Sequence, residues 1–222
     1  MQVARSMHPG WLSNAYLVYD RPGGSAIFVD SGAPLEPLLE IVERERLQVT
    51  HLLVTHGHSD HVAGNDELAR RFGVAIVSSS LETGGLRVEA LPTPGHSPDG
   101  VAFVVNGEAV FTGDTLFRDS VGGGDFSAIR HSVMEVLMRL PRETRVYPGH
   151  AAETTIGREW EENPFVRVWR GLDPEGSELC RVGSREATLI VWSPDYDGKG
   201  KAWVRFSEGR DAIVGGSQVE RL

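Results

Sequence analysis

Residues 55–61 read Thr55-His56-Gly57-His58-Ser59-Asp60-His61, directly after the apolar run Leu52-Leu53-Val54. Three of the chain's 8 histidines and an aspartate crowd into the positions from 56 to 61. A strand that ends in a tight turn would bring such side chains into one cleft. His56 and His58 are two apart, so in extended backbone they face the same way. Gly57 permits the close turn, and Asp60 and His61 follow at the opening of the next segment. One metal could take His56 and His58, and a second Asp60 and His61. Imidazole nitrogen with a carboxylate oxygen suits zinc, and also iron or manganese. The plainer alternative, a polar loop that happens to hold histidines, sits poorly with that density.

A chain of 222 residues suits one large domain, or one domain with an appendage. Its 40% hydrophobic and 24% charged content is that of a globular protein with a substantial core. The formal charge of −9 argues against a nucleic-acid partner held through a general basic surface. Arginine supplies nearly all the positive charge, with lysine only at 199 and 201. The lone cysteine, Cys180, precludes an intrachain disulfide and fits a reducing compartment. It lies far along the chain from the histidines and reads as structural. The first ten residues lack an apolar core of signal-peptide length, and no run approaches a membrane span. The expectation is a cytoplasmic protein that engages neither membrane nor nucleic acid.

Short strands are expected at 2–5, 14–19 and 26–29, with turn residues Arg21-Pro22-Gly23-Gly24 between the last two. Leu35, Leu38, Leu39 and Val42 give 34–46 a helical spacing. A strand at 51–54 leads into the histidine loop, followed by a helix at 65–72 and strands at 74–77, 86–91, 101–105 and 109–112. Helices are expected at 127–140 and 154–169, the latter interrupted at Asn163-Pro164, with a strand at 145–147 between them. The character changes near Leu172. Strands at 187–192, 201–206 and 211–214 make the last fifty or so residues β-rich.

His96, Asp114 and His150 share the placement of the first cluster. Each follows a glycine in a loop or at a strand end, in Pro94-Gly95-His96, Thr112-Gly113-Asp114 and Pro148-Gly149-His150. Taken singly, each reads as an ordinary loop residue. Together with 56–61 they resemble the metallo-β-lactamase-fold superfamily of hydrolases over residues 12–169. The resemblance implies an α/β (α+β) protein, a four-layer αββα sandwich carrying a β-rich C-terminal extension. The expected division is a hydrolase domain at 1–171 and the extension at 172–222. It also implies two metal positions, zinc in the first instance with iron or manganese as alternatives. The first would be held by His56, His58 and His96, the second by Asp60, His61 and His150, with Asp114 bridging. Two cations would lower the pKa of a bridging water to give hydroxide near neutral pH, which attacks a carbonyl. Asp60 and Asp114 are the expected catalytic carboxylates.

Asp114 stands where the antibiotic-hydrolysing branch commonly carries cysteine or serine, which points away from penicillins. Asn14-Ala15-Tyr16-Leu17-Val18, the run 111–118, Thr154-Thr155-Ile156-Gly157 and Glu162-Asn163-Pro164-Phe165 are similar to short bacterial glyoxalase II-like proteins. That similarity implies hydrolysis of a small thioester, such as S-lactoylglutathione. Two departures stand out. The tail reads as β where full-length glyoxalase II carries a basic helical domain. The group's Gly-Arg-Thr-Asp-Phe appears as Gly122-Gly123-Gly124-Asp125-Phe126, without the arginine, although Arg118 is nearby. The alternative enzyme is a persulfide dioxygenase with one iron on His56, His96 and Asp114. A lactonase, a metal-dependent nuclease and a non-catalytic module rank below it. Asp30 is a candidate to orient a ligand histidine. His8, His51, His131, Asp99 and the tryptophans at 160, 169, 192 and 203 read as structural or surface residues. Oligomeric state is open.

Overall fold

The computed structural model describes residues 1–222. The first sheet runs in chain order through β1 (Gln2–Met7), β2 (Asn14–Tyr19), β3 (Ser25–Val29), β4 (Gln48–Leu53) and β5 (Ala75–Val77). Its first three strands pair antiparallel, while β4 and β5 are added in parallel. Helices α1 (Glu36–Arg44), α2 (Ser59–Val62) and α3 (Asn65–Phe72) are set around β4 and β5 in the chain. β2 is buried along its whole length, the signature of a strand covered on both faces. Alternation divides it. Ala15, Leu17 and Tyr19 meet Leu38, Leu39 and Val42 of α1 and Leu68 of α3 on one side. Tyr16 and Val18 face the second sheet on the other.

The chain continues through β6 (Leu81–Thr83), β7 (Leu86–Pro92), β8 (Val101–Val105), β9 (Ala109–Gly113), a short hairpin of β10 (Leu116–Phe117) and β11 (Ser120–Val121), β12 (Arg145–Pro148) and β13 (Thr154–Thr155). The second sheet takes the order β13-β12-β9-β8-β7-β6, with β12 parallel to β9 and the other pairs antiparallel. Leu86, Val88, Phe103, Phe111 and Tyr147 close the core between the sheets. Helices α4 (Phe126–His131), α5 (Ile156–Glu162) and α6 (Pro164–Trp169) cover its outer face through Ile129, Ile156, Phe165 and Val166. Helix on sheet on sheet on helix is the expected αββα sandwich.

Local differences from the expected elements have physical reasons. The helix expected at 127–140 is α only to His131, then a π turn (Ser132–Val136) and a 3-10 turn (Leu137–Arg139). Ser132 is fully buried there and its Oγ donates to the Pro94 carbonyl, 2.7 Å away, tying the helix to the loop that carries His96. The helix expected from 154 begins only at Ile156, because Thr154–Thr155 pair as β13, and its expected break at Asn163-Pro164 is present because Pro164 cannot continue α5. Asn163 instead accepts from the backbone N–H groups of Phe165 and Val166 as the N-cap of α6.

The tail holds five strands, two more than its sequence pattern predicts: β14 (Glu178–Val182), β15 (Arg185–Ser193), β16 (Lys201–Phe206), β17 (Asp211–Gly215) and β18 (Val219–Arg221). They form one antiparallel sheet in the order β17-β16-β15-β14-β18. One face gathers Cys180, Ala187, Leu189, Val204 and Phe206 into a small core of its own. A bulge after Leu189 turns both Ile190 and Val191 to the opposite face. There they join Trp203 and Ile213 against the outer helices, in the same core as Trp169. No helix of the chain is long and apolar enough to cross a membrane.

Candidate metal centre

Ligand-bearing loops emerge together at one edge of the sandwich. β4 delivers His56, β9 ends one residue before Asp114, β12 ends two before His150, and His96 follows β7. The short helix α2 brings Asp60 and His61 back beneath the same loop. Gly149 is required for that convergence: a Cβ there would lie 2.3 Å from Asp114 Oδ1 and 2.7 Å from His61 Cε1.

All seven expected ligands meet. His58 Nδ1 lies 3.0 Å from both His56 Nε2 and His96 Nε2. His150 Nε2 lies 3.4 Å from Asp60 Oδ2, and His61 Nε2 3.8 Å from the same oxygen. Asp114 reaches both groups: Oδ1 is 3.3 Å from His61 Nε2, and Oδ2 is 3.4 Å from His96 Nε2 and from His150 Nε2. Donor atoms about 2.1 Å from a shared tetrahedral ion sit about 3.4 Å from one another. In each of the triads His56–His58–His96 and Asp60–His61–His150 the ligand atoms all lie within 4.8 Å of one another, close enough to share an ion. His61 Nε2 and Asp114 Oδ1 are buried and lack a hydrogen-bond partner of good geometry, as expected of atoms meant for a cation. The residues fit a pair of metal ions.

The second ring nitrogens show how the donors are aimed. His61 Nδ1 lies 2.9 Å from Asp30 Oδ2, His96 Nδ1 2.9 Å from the Gly123 carbonyl, and His56 Nδ1 3.1 Å from Thr55 Oγ1. Each contact leaves Nε2 facing the centre. Asp30 therefore does have the orienting contact its position suggested. It is buried, holds a φ of 55°, and also accepts from the Thr55 N–H and hydroxyl at 2.8 Å each.

Two braces were not visible in the sequence pattern. Asp99, which reads there only as a turn residue, accepts from the Gly57 N–H at 3.1 Å and from Ser97 Oγ, pinning the histidine loop. Asn14 donates from Nδ2 to the carbonyls of Pro148 and Ala151 at 3.0 Å each, holding the loop around His150. His8 accepts from the backbone of Gly10 and Trp11 and belongs to a turn. Arg118 is exposed, with Asp119 at 3.9 Å.

Charge is divided unevenly before any metal binds. Burial opposes a proton on His61, but Asp114 and Asp30 outweigh it and push its pKa up to about 11. Burial, helped by the charge on His61, holds His56 down to about 4. Burial also disfavours ionised Asp114, yet His150 and His61 hold its carboxyl well below the usual range. A divalent cation needs neutral imidazoles, so binding one would displace the proton from His61.

The tail adds an aromatic residue that its sequence pattern did not mark. Tyr196, in the β15–β16 loop, stacks on His150 with centroids 4.1 Å apart and planes 10° from parallel. Phe117 packs edge-on to the same tyrosine at 5.5 Å. Only its setting, an aromatic between Pro194-Asp195 and Asp197-Gly198 in a loop, could have drawn notice.

The profile described as the metallo-beta-lactamase superfamily matches residues 8–84 and 79–150. The hydroxyacylglutathione hydrolase GloC of Haemophilus influenzae is 30% identical over 196 residues, covering 69% of this chain and 92% of that one. Among solved structures, the BLEG-1 B3 metallo-beta-lactamase superposes with a TM-score of 0.69 at 26% identity, covering 74% of this chain and 99% of its own. ETHE1 from Myxococcus xanthus gives a TM-score of 0.68 at 30% identity, covering 75% and 84%. With that match and the converged histidines and aspartates, the chain belongs to the metallo-beta-lactamase superfamily.

Proposed function

We propose that this protein is a dinuclear metal-dependent hydrolase of a small thioester, with His56, His58 and His96 holding one ion and Asp60, His61 and His150 the other. The observation that carries the reading is Asp114, within 3.4 Å of a donor from each triad. Zinc is the ion the donor set suits best, with iron or manganese as alternatives. A metal pair supplies a water acidic enough to lose its proton near neutral pH, together with charge to balance the developing oxyanion. Asp114 would offer its carboxylate to both positions. Asp60, whose side chain is partly open to solvent, would orient the attacking water and accept its proton. In the overall step a C–O bond forms, the C–S bond breaks, and the leaving thiolate is protonated. Residues 1–171 would carry this chemistry, and 172–222 would be an extension to it.

The likeness to a hydroxyacylglutathione hydrolase supports a glutathione thioester as the substrate class. Replacing Asp114 with alanine should remove at least one metal and bring S-lactoylglutathione hydrolysis below detection. Full metal content and full activity in Asp114→Ala would refute the reading. A second reading, an iron-dependent persulfide dioxygenase, draws on the proximity of His56, His96 and Asp114 within the cluster.

A further inference from the structure

The profile match ends at residue 150, and Tyr196 comes from well beyond it, yet its ring lies flat on the imidazole of His150. Its loop, 194–200, is anchored at its base. Ser193 Oγ donates to the Asp119 carbonyl, joining the loop to the β10–β11 hairpin that carries Phe117. Lys201 and Asp195 form an ion pair at 3.0 Å, with side chains 13% and 4% exposed. Asp195 also accepts from the Tyr196 N–H at 3.0 Å, fixing the backbone from which the ring projects.

A second contact couples the tail to the centre. β17 bridges Gly124 through Ile213, and a Cβ on Gly123 would meet the Ile213 carbonyl at 3.3 Å. The Gly123 carbonyl is also the group beside His96 Nδ1. The tail thus packs where the related segment carries an arginine, and it brings its own side chain to the opening. Tyr196 is partly exposed, and its hydroxyl has no protein group among its hydrogen-bond partners. A phenol hydroxyl can donate a hydrogen bond to an oxygen acceptor.

We propose that Tyr196 is a substrate-contacting, specificity-determining residue. Its ring and Phe117 wall the site beside His150, and its hydroxyl donates to an oxygen-bearing acyl group of the substrate. The substrate class is a 2-hydroxyacyl or similarly oxygenated thioester. The inference deepens the thioester reading and rests on it.

The test compares S-lactoylglutathione with S-acetylglutathione in the full chain and in Tyr196→Phe, with zinc content measured alongside. Loss of the hydroxyl should cut kcat/KM for the lactoyl substrate about tenfold and for the acetyl substrate no more than about twofold. Zinc content should not change. Tyr196→Ala, which also removes the wall, should raise KM for both substrates. An unchanged lactoyl-to-acetyl ratio in Tyr196→Phe would overturn the proposal. If the unaltered protein hydrolyses neither thioester, the thioester reading falls. Tyr196 is then judged by calorimetry on zinc-loaded protein with mercaptoacetate and ethanethiol. Tyr196→Phe should weaken the preference for mercaptoacetate about tenfold, and an unchanged preference would overturn the proposal.

Discussion

Asp30 and His61 meet across 2.9 Å in the interior, Asp30 Oδ2 against His61 Nδ1, although they stand on either side of β4 in the chain. Both side chains are almost fully buried, and the contact sets which imidazole nitrogen faces the cluster. Asp30→Asn keeps the shape and removes the charge. Metal affinity should fall about tenfold or more, as is usual when such an orienting carboxylate is lost. Competition against a zinc chelator of known affinity would measure it. An affinity equal to that of the unaltered protein would show that the contact is incidental.

The cluster was legible because His58, His96, Asp114 and His150 each follow a glycine, and the order of all seven residues along the chain resembles that of a known family. The braces were less so. Asp30 could be suspected as a partner for a histidine, but which histidine depends on how β3 lies against β4. Asp99 reads as a turn residue until the loop folds back over Gly57. β14 and the edge strand β18 escaped notice because they are short, polar and partly exposed. Tyr196 reaches His150 only through packing of the tail against the outer helices, a long-range contact that leaves no local pattern.

Glu159 is fully buried and accepts from Thr154 Oγ1 at 2.6 Å, the Asp119 N–H at 2.8 Å, Arg158 Nη1 at 2.8 Å and Asn163 Nδ2 at 3.0 Å. It ties α5 to the hairpin beside the metal centre. Glu159→Ala leaves several donors without a partner and should cost about 3 kcal/mol. For a chain of this size that lowers Tm by about 6–12 °C in a thermal melt. A loss of under about 1 kcal/mol would mean that solvent replaces the carboxylate without strain.

Asp99→Ala removes the acceptor of the Gly57 N–H and so loosens the turn between His56 and His58. Stability should change by only about 1 kcal/mol, because the two hydrogen bonds lost, from Gly57 and Ser97, are at least partly open to solvent. Precision at the metal matters more, and kcat/KM should drop about tenfold. Parallel melts and steady-state kinetics separate the two effects. Equal activity in the variant would rule out a positioning role.

Metal removal should destabilise the fold, because His61 Nε2 and Asp114 Oδ1 lose the cation that satisfies them. With free zinc at about a hundred times Kd, restoring metal to chelator-treated protein should add about 2.7 kcal/mol per site. The gain should shrink as pH falls, since protons compete for the imidazoles. Differential scanning calorimetry with and without zinc reads both effects. A melting temperature indifferent to zinc at neutral pH would count against a metal in this cluster.

The central claim is two metals serving one hydrolytic site, and the measurement that tests it most directly is zinc titration of metal-free protein with S-lactoylglutathione turnover followed at each step. Activity should rise to a plateau at two zinc ions per chain, and glutathione persulfide should cause no oxygen uptake. One tightly held iron, with oxygen consumed on the persulfide and no thioester cleaved, would contradict it.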